Sequence, residues 1–217
     1  VRHGEVKKDS RKKTFSGRLG TSGSRKAQIA ETALRLVNQD GLKALSVSRL
    51  AETLGVVPSA LYRHYPNKEA ILDAVVELVG ERLAEHVEKV RREHFSALSR
   101  LDALLAQHVL LITSNQAIPR ILFSEEVIGD ANHRRARLGD IIHSHVMRIA
   151  AIIAEGQEEG DIRSDIPAEA AAVMFLGIVQ PAAILWHVSG GRFDFSAHAR
   201  TAWKLYRECL QPQKDMP

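Results

Sequence analysis

Residues 46–68 read SVSRLAETLGVVPSALYRHYPNK, and the breaks inside this stretch decide the fold. Ser46 can cap a short helix carrying Val47, Leu50, Ala51 and Leu54 at helical spacing, and Gly55 ends it. Pro58 suits the first turn of a second short helix, which Pro66 stops at about Tyr65. Two short helices around a glycine turn have the proportions of a helix-turn-helix, a unit whose second helix enters the DNA major groove. After Pro58, Ala60 and Leu61 can face the core, which leaves Ser59, Tyr62, Arg63 and His64 to contact DNA. Lys68 opens the next helix, where its charge and the free backbone amides can hold a phosphate.

Upstream, Ser24 can cap a helix with Ile29, Ala33, Leu36 and Val37 on its apolar side, ended by Gly41. Downstream, Asn67 can cap a longer helix through Ile71, Leu72, Val75, Val76 and Leu78. Five more helices are expected over 101–114, 118–128, 132–159, 168–189 and 196–210, giving about nine in all. No sustained alternation of polar and apolar residues occurs, so the class is all-α. The expected organisation is a flexible basic arm over 1–23, a helix-turn-helix DNA-binding domain over 24–84, and a larger helical domain over 85–217.

Charge divides the chain in the same place. Residues 1–68 hold 14 basic and 5 acidic side chains (+9), and the remainder holds 16 and 21 (−5), within a total of +4. A basic segment on an acidic remainder points to a polyanion at one end and a different task at the other. At 217 residues, 45% hydrophobic and 26% charged, wholesale disorder is excluded. The apolar run at 170–186 is interrupted by Gln180 and shorter than the ~20 residues of a bilayer span, so no membrane span is expected. The lone Cys209 and the polar, basic first thirty residues give no sign of secretion, which makes the cytoplasm the default location, with nucleoid association when DNA is bound.

The residues themselves carry a more specific signal. From 33 to 56 they follow A-x-x-L-x-x-x-x-G-x-x-x-x-S-V-x-x-L-A-x-x-L-G-V, and from 60 to 72 they read ALYRHYPNKEAIL. This pattern closely resembles the DNA-binding domain of the TetR family of bacterial transcriptional regulators. The resemblance implies that the helix from Pro58 is the recognition helix, that Tyr62, His64 and Lys68 contact phosphates, and that Ser46 and Arg49 sit near the DNA. Val57 stands where the family often has Ser or Thr, which removes a capping hydroxyl.

The resemblance also implies a homodimer on a palindromic double-stranded operator, and geometry gives a separate reason: one short helix reads few base pairs. Phe175, Val179, Ala183 and Trp186 on the penultimate helix, with Ala199, Trp203 and Tyr206 on the last, are the candidate interface. Regulators of this kind typically release DNA on binding a small molecule in the second unit, so the chain is expected to be a repressor. Leu105, His108 and Ile112, with Phe123 nearby and Phe175 on the penultimate helix, are the candidate pocket for a largely apolar effector. No two of the ten histidines lie three or four apart, so no metal site is expected. His143 and His145 fall on different faces of one helix. No phosphate-binding glycine loop or nucleophile elbow appears, so neither a cofactor nor an enzyme is expected. The alternative reading is a DNA-binding scaffold whose second half engages a protein partner and takes no small ligand.

Overall fold

Capping chemistry sets where the helices begin. The computed structural model describes residues 22–129 and 132–212, and among them ten α-helices and no strand. They are α1 (Ser22–Asp40), a 3-10 turn (Leu42–Ala44), α2 (Val47–Leu54), α3 (Pro58–Tyr62), α4 (Lys68–Glu93) and α5 (Ala97–Ser114). There follow α6 (Ala117–Leu122), α7 (Glu125–Ile128), α8 (Asn132–Glu158), α9 (Ala168–Val188) and α10 (Phe195–Leu210). Ser46, Asn67, Ser96 and Asp194 each accept a hydrogen bond from the backbone N–H three residues on, satisfying amides that a helix start leaves free.

Several ends differ from expectation, and α5 begins at Ala97, capped by Ser96, rather than at 101. α1 already begins at Ser22, so Ser24 lies inside it, and residues 1–21 of the expected arm fall outside the described residues. α3 stops at Tyr62, after which Tyr65 N–H still reaches the Leu61 carbonyl at 2.9 Å as the chain turns toward Pro66. The helix expected over 118–128 divides at Phe123 and Ser124, because Ser124 turns extended and its hydroxyl donates to the Ile121 carbonyl at 2.7 Å. That division makes ten helices of the expected nine.

Two apolar cores form, and α4 runs through both. The first gathers Leu34, Leu50, Leu61 and Ile71 from α1–α4, but it also takes in Ile118, Ile121, Val127, Leu138 and Ile141 from α6, α7 and α8. The second joins Val87 and Val90 of α4 to α5, the later part of α8, α9 and α10. α6, α7 and the start of α8 are therefore packed onto the unit that holds the helix-turn-helix. Gly156 lets α8 come against α5, since a Cβ there would lie 2.5 Å from that of Ala97.

The interface expected on α9 and α10 is corrected by burial. Phe175, Val179, Ala183, Ala199, Trp203 and Tyr206 are buried inside the chain, and Trp186 is half-buried. Phe175 meets Trp203 edge to face at 6.4 Å between ring centroids, and the Tyr206 hydroxyl donates to the Ala171 carbonyl at 2.6 Å. By length and composition α9 could cross a bilayer, because Gln180 is carried within the helix, yet this packed side belongs to the second core. Its opposite side leaves Val173, Met174, Ile184, Leu185 and Val188 exposed.

Candidate nucleic-acid interface and apolar cavity

Gly55 makes the turn between α2 and α3 possible. Its φ of 67° lies in the left-handed region, and the following Val56 N–H donates back to the Ala51 carbonyl at 3.0 Å. Val57 is extended and contributes no side-chain cap, and Pro58 fills the first helical position, where a missing N–H costs nothing. Leu61 is buried and anchors α3, with Ala60 half-buried beside it. Pro58, Ser59, Tyr62, Arg63 and His64 all stay exposed. The Tyr62 phenol lies 3.2 Å from Ser48 Oγ, so α3 is tied to the exposed side of α2. Ser48 was not a candidate from the sequence, where fourteen positions separate it from Tyr62 and no motif links them.

Two of the basic candidates, Arg49 and Lys68, are held by acids. Ser46 Oγ accepts from Arg49 N–H, and the Arg49 guanidinium pairs with Asp40 at 2.9 Å, which raises its pKa. Lys68 is half-buried at the start of α4, with Nζ 3.3 Å from Glu126 Oε1 on α7. The Glu126 carboxyl is kept below the usual carboxylate range by hydrogen bonding to its own backbone N–H first and by Lys68 after it. Arg25 and Lys26 of α1 border a groove with Arg63 and His64, which Asp73, Glu77 and Glu81 of α4 also line. Behind it, the buried Arg134 of α8 bonds Asp73 at 2.7 Å and donates to the Glu126 carbonyl, while Arg137 pairs with Glu77. α4 is thereby strapped to α7 and α8 by charge as well as by the shared core.

A cavity of about 130 Å³ opens where α4, α5, α6, α8 and α9 meet. His108, Ile112 and Phe123 line it as expected, but Leu105 and Phe175 do not: both are buried in the second core, and the Phe175 ring packs behind His108 at 6.0 Å. The residue missed from sequence is His145, which lines the same cavity and places its Nε2 2.9 Å from that of His108. Its signal was present: His145 stands in register with Ile141 and Ile149 at steps of four, on the apolar side of α8, whereas His143 is exposed. Burial pushes both imidazoles down, His145 to about 4, so the pair is uncharged at neutral pH. Among the described residues, no three His, Cys, Asp or Glu side chains are grouped to hold a metal.

Comparison with known proteins bears on both sites. The model of the family described as bacterial regulatory proteins, tetR family, matches residues 29–75, and that of the YsiA-like protein, C-terminal region, matches residues 79–208. The nucleoid occlusion factor SlmA of Alteromonas mediterranea is 26% identical over 132 residues, covering 61% of this chain and 68% of its own. The fatty acid metabolism regulator protein of Bacillus subtilis is 22% identical over 181 residues, covering 82% of this chain and 91% of its own. The solved structure of the transcriptional regulator FadR from Bacillus subtilis in complex with stearoyl-CoA superposes with a TM-score of 0.69 at 21% identity, covering 85% of this chain and 98% of that one.

Proposed function

Because the chain belongs to the TetR family of bacterial regulatory proteins, and is accordingly a DNA-binding transcriptional regulator, we propose that it acts as a homodimeric repressor released by a small, largely apolar effector. The observation that carries this reading is the pairing of a buried Leu61 anchor with four exposed contact residues on and just after α3, supported from α2 through Ser48. A five-residue helix reads few base pairs, so a two-fold partner on a palindromic operator supplies the rest of the site. The exposed apolar side of α9 is the surface available for that partner.

The cavity supports the effector half of the reading. Its volume of about 130 Å³ is small beside the roughly 300–1,000 Å³ of common ligand sites, so a larger ligand must move its walls. Ile118 and Leu122 of α6 line the cavity and also pack in the core shared with α1–α4. A ligand that favours the widened state therefore favours a different seat for the recognition helix. The Bacillus subtilis regulator holds stearoyl-CoA, and an acyl chain of that length would need such widening here. A scaffold that binds a protein partner is the second reading, favoured by the likeness to nucleoid occlusion factors.

The test is to incubate purified protein with sheared DNA from the genome that encodes it and to sequence what is retained at moderate salt. One enriched palindrome beside a transporter or enzyme gene supports site-specific regulation. Many scattered sites would instead support the scaffold, and a heat-stability screen with apolar compounds then separates the two, since an effector raises stability by mass action.

A further inference from the structure

A second, polar cleft of about 940 Å³ opens between the start of α5 and the later turns of α10, with Gly160 and Asp161 after α8 in its wall. It shares no lining residue with the apolar cavity. Trp203 of α10 forms part of the wall although it is only 7% exposed, its ring packed with those of Phe175 and Tyr206. The indole N–H makes no hydrogen bond among the described residues, and it is not among the unpaired polar atoms closed to solvent. What remains accessible of this buried ring is therefore a free donor at the cleft wall. A buried indole N–H ordinarily finds a partner, so this one is open for a ligand to complete.

Charge decides what kind of molecule that is. Asp102, Asp161 and Glu208 line the cleft with Arg207, and none of the four is ion-paired among the described residues. Arg207 follows Trp203 by four residues, so guanidinium and indole stand on one side of α10, where a carboxylate can accept from both. α5 begins in the same wall at its cap Ser96, and the positive end of its dipole adds to the pull on an anion. The three acids still outweigh Arg207, so a simple anion meets a negative field and a hydrocarbon leaves every one of these groups unanswered. The complement is a molecule with one anionic end and a surplus of positive charge. We propose that the α5–α10 cleft binds an α-amino acid with a cationic side chain, its carboxylate on Trp203 and Arg207 and its two cationic groups on Asp102, Asp161 and Glu208. Because these acids are exposed, their attraction is screened by salt, and the directional contacts on α10 set the selectivity.

Full-length protein is titrated calorimetrically at low salt with three matched probes: L-lysine, cadaverine, which lacks the carboxylate, and L-norleucine, which lacks the side-chain ammonium. L-Lysine is expected to bind about tenfold more tightly than either of the others. Trp203→Phe keeps an aromatic ring and removes the N–H, and should weaken lysine by about tenfold while leaving cadaverine unchanged. Should that variant fail to fold, Arg207→Gln at an exposed position reads the same split between lysine and cadaverine. Asp161→Asn, also exposed, should weaken lysine and cadaverine together. Equal binding of lysine and cadaverine overturns the proposal in favour of a polyamine held by the acids alone. Equal binding of lysine and norleucine overturns it as well, since the acids then take no part. No binding of lysine at millimolar concentration overturns the site as a whole. The apolar-effector reading is untouched by any of these results, because the two sites have no residue in common.

Discussion

Tyr62 shows how a single side chain changes meaning with its surroundings. An aromatic residue at helical spacing is more often core, yet here the ring is 45% exposed and its hydroxyl reaches Ser48 on the neighbouring helix. Removing it takes away an exposed polar group on the proposed DNA face and no part of the packed core. Tyr62→Ala is expected to weaken operator binding by about 1.5–3 kcal/mol per half-site, the range of a hydrogen bond to a charged group, with helicity by circular dichroism unchanged. Equal affinity in a gel-shift or anisotropy titration would remove Tyr62 from the contact set. The histidine pair makes a second prediction at this scale. His145 titrates near 4 in the folded chain and near 6.5 unfolded, so below 6.5 the unfolded state binds more protons and stability falls with pH until about 4. Each buried imidazole contributes a slope of about 1.4 kcal/mol per pH unit in that window. Chemical denaturation of wild type and His145→Phe across this range should show a shallower slope in the variant, and parallel slopes would mean the imidazole is not buried uncharged.

Helix boundaries show which physical signals a sequence carries openly. Ser46, Asn67, Gly55 and Pro58 were legible because a cap, a left-handed turn and a missing N–H each demand particular residue types. The break at Ser124 was missed although a serine ahead of Glu125 and Glu126 carries an N-cap and acidic first-turn signal, because a single cap residue inside an apolar stretch does not by itself end the helix before it. α9 carries the largest ambiguity: a helix with apolar residues around most of its circumference gives no phase, so the side that faces the core cannot be told from the side that faces a partner. Packing resolved it, putting Phe175 inside and Met174 and Leu185 outside. Met174→Glu with Leu185→Glu is accordingly expected to give a folded monomer that sediments as such at concentrations where the parent is a dimer, with operator affinity lowered by the loss of the second half-site. A dimer that survives both charges would place the interface elsewhere.

Across the whole molecule, the decisive relation is between the basic DNA-facing unit and the acidic helices packed against it. The sequence divides its charge at Lys68 into +9 and −5, and its reading named Lys68 as a phosphate ligand. What spacing could not show is that Glu126, fifty-eight positions away, reaches the same ammonium in the free protein, because only the fold brings α7 to the start of α4. Lys68 cannot serve Glu126 and a phosphate equally well, so on the proposed phosphate contact DNA and the α7 carboxylate compete for it, while Arg134 and Arg137 pair α8 with α4. Both partners are partly exposed, which limits the ion pair to about 0.5 kcal/mol after screening, or about 1 kcal/mol over the two half-sites of a dimer. Glu126→Gln should therefore tighten operator binding by roughly fivefold at low salt, with the gain shrinking as salt rises. The Arg134 bond to the Glu126 backbone is untouched by that change, so the seat of α7 is preserved. Titrating parent and variant against the same operator at two salt concentrations measures the competition directly, and an affinity that does not move would show that Lys68 gives up nothing when it meets DNA.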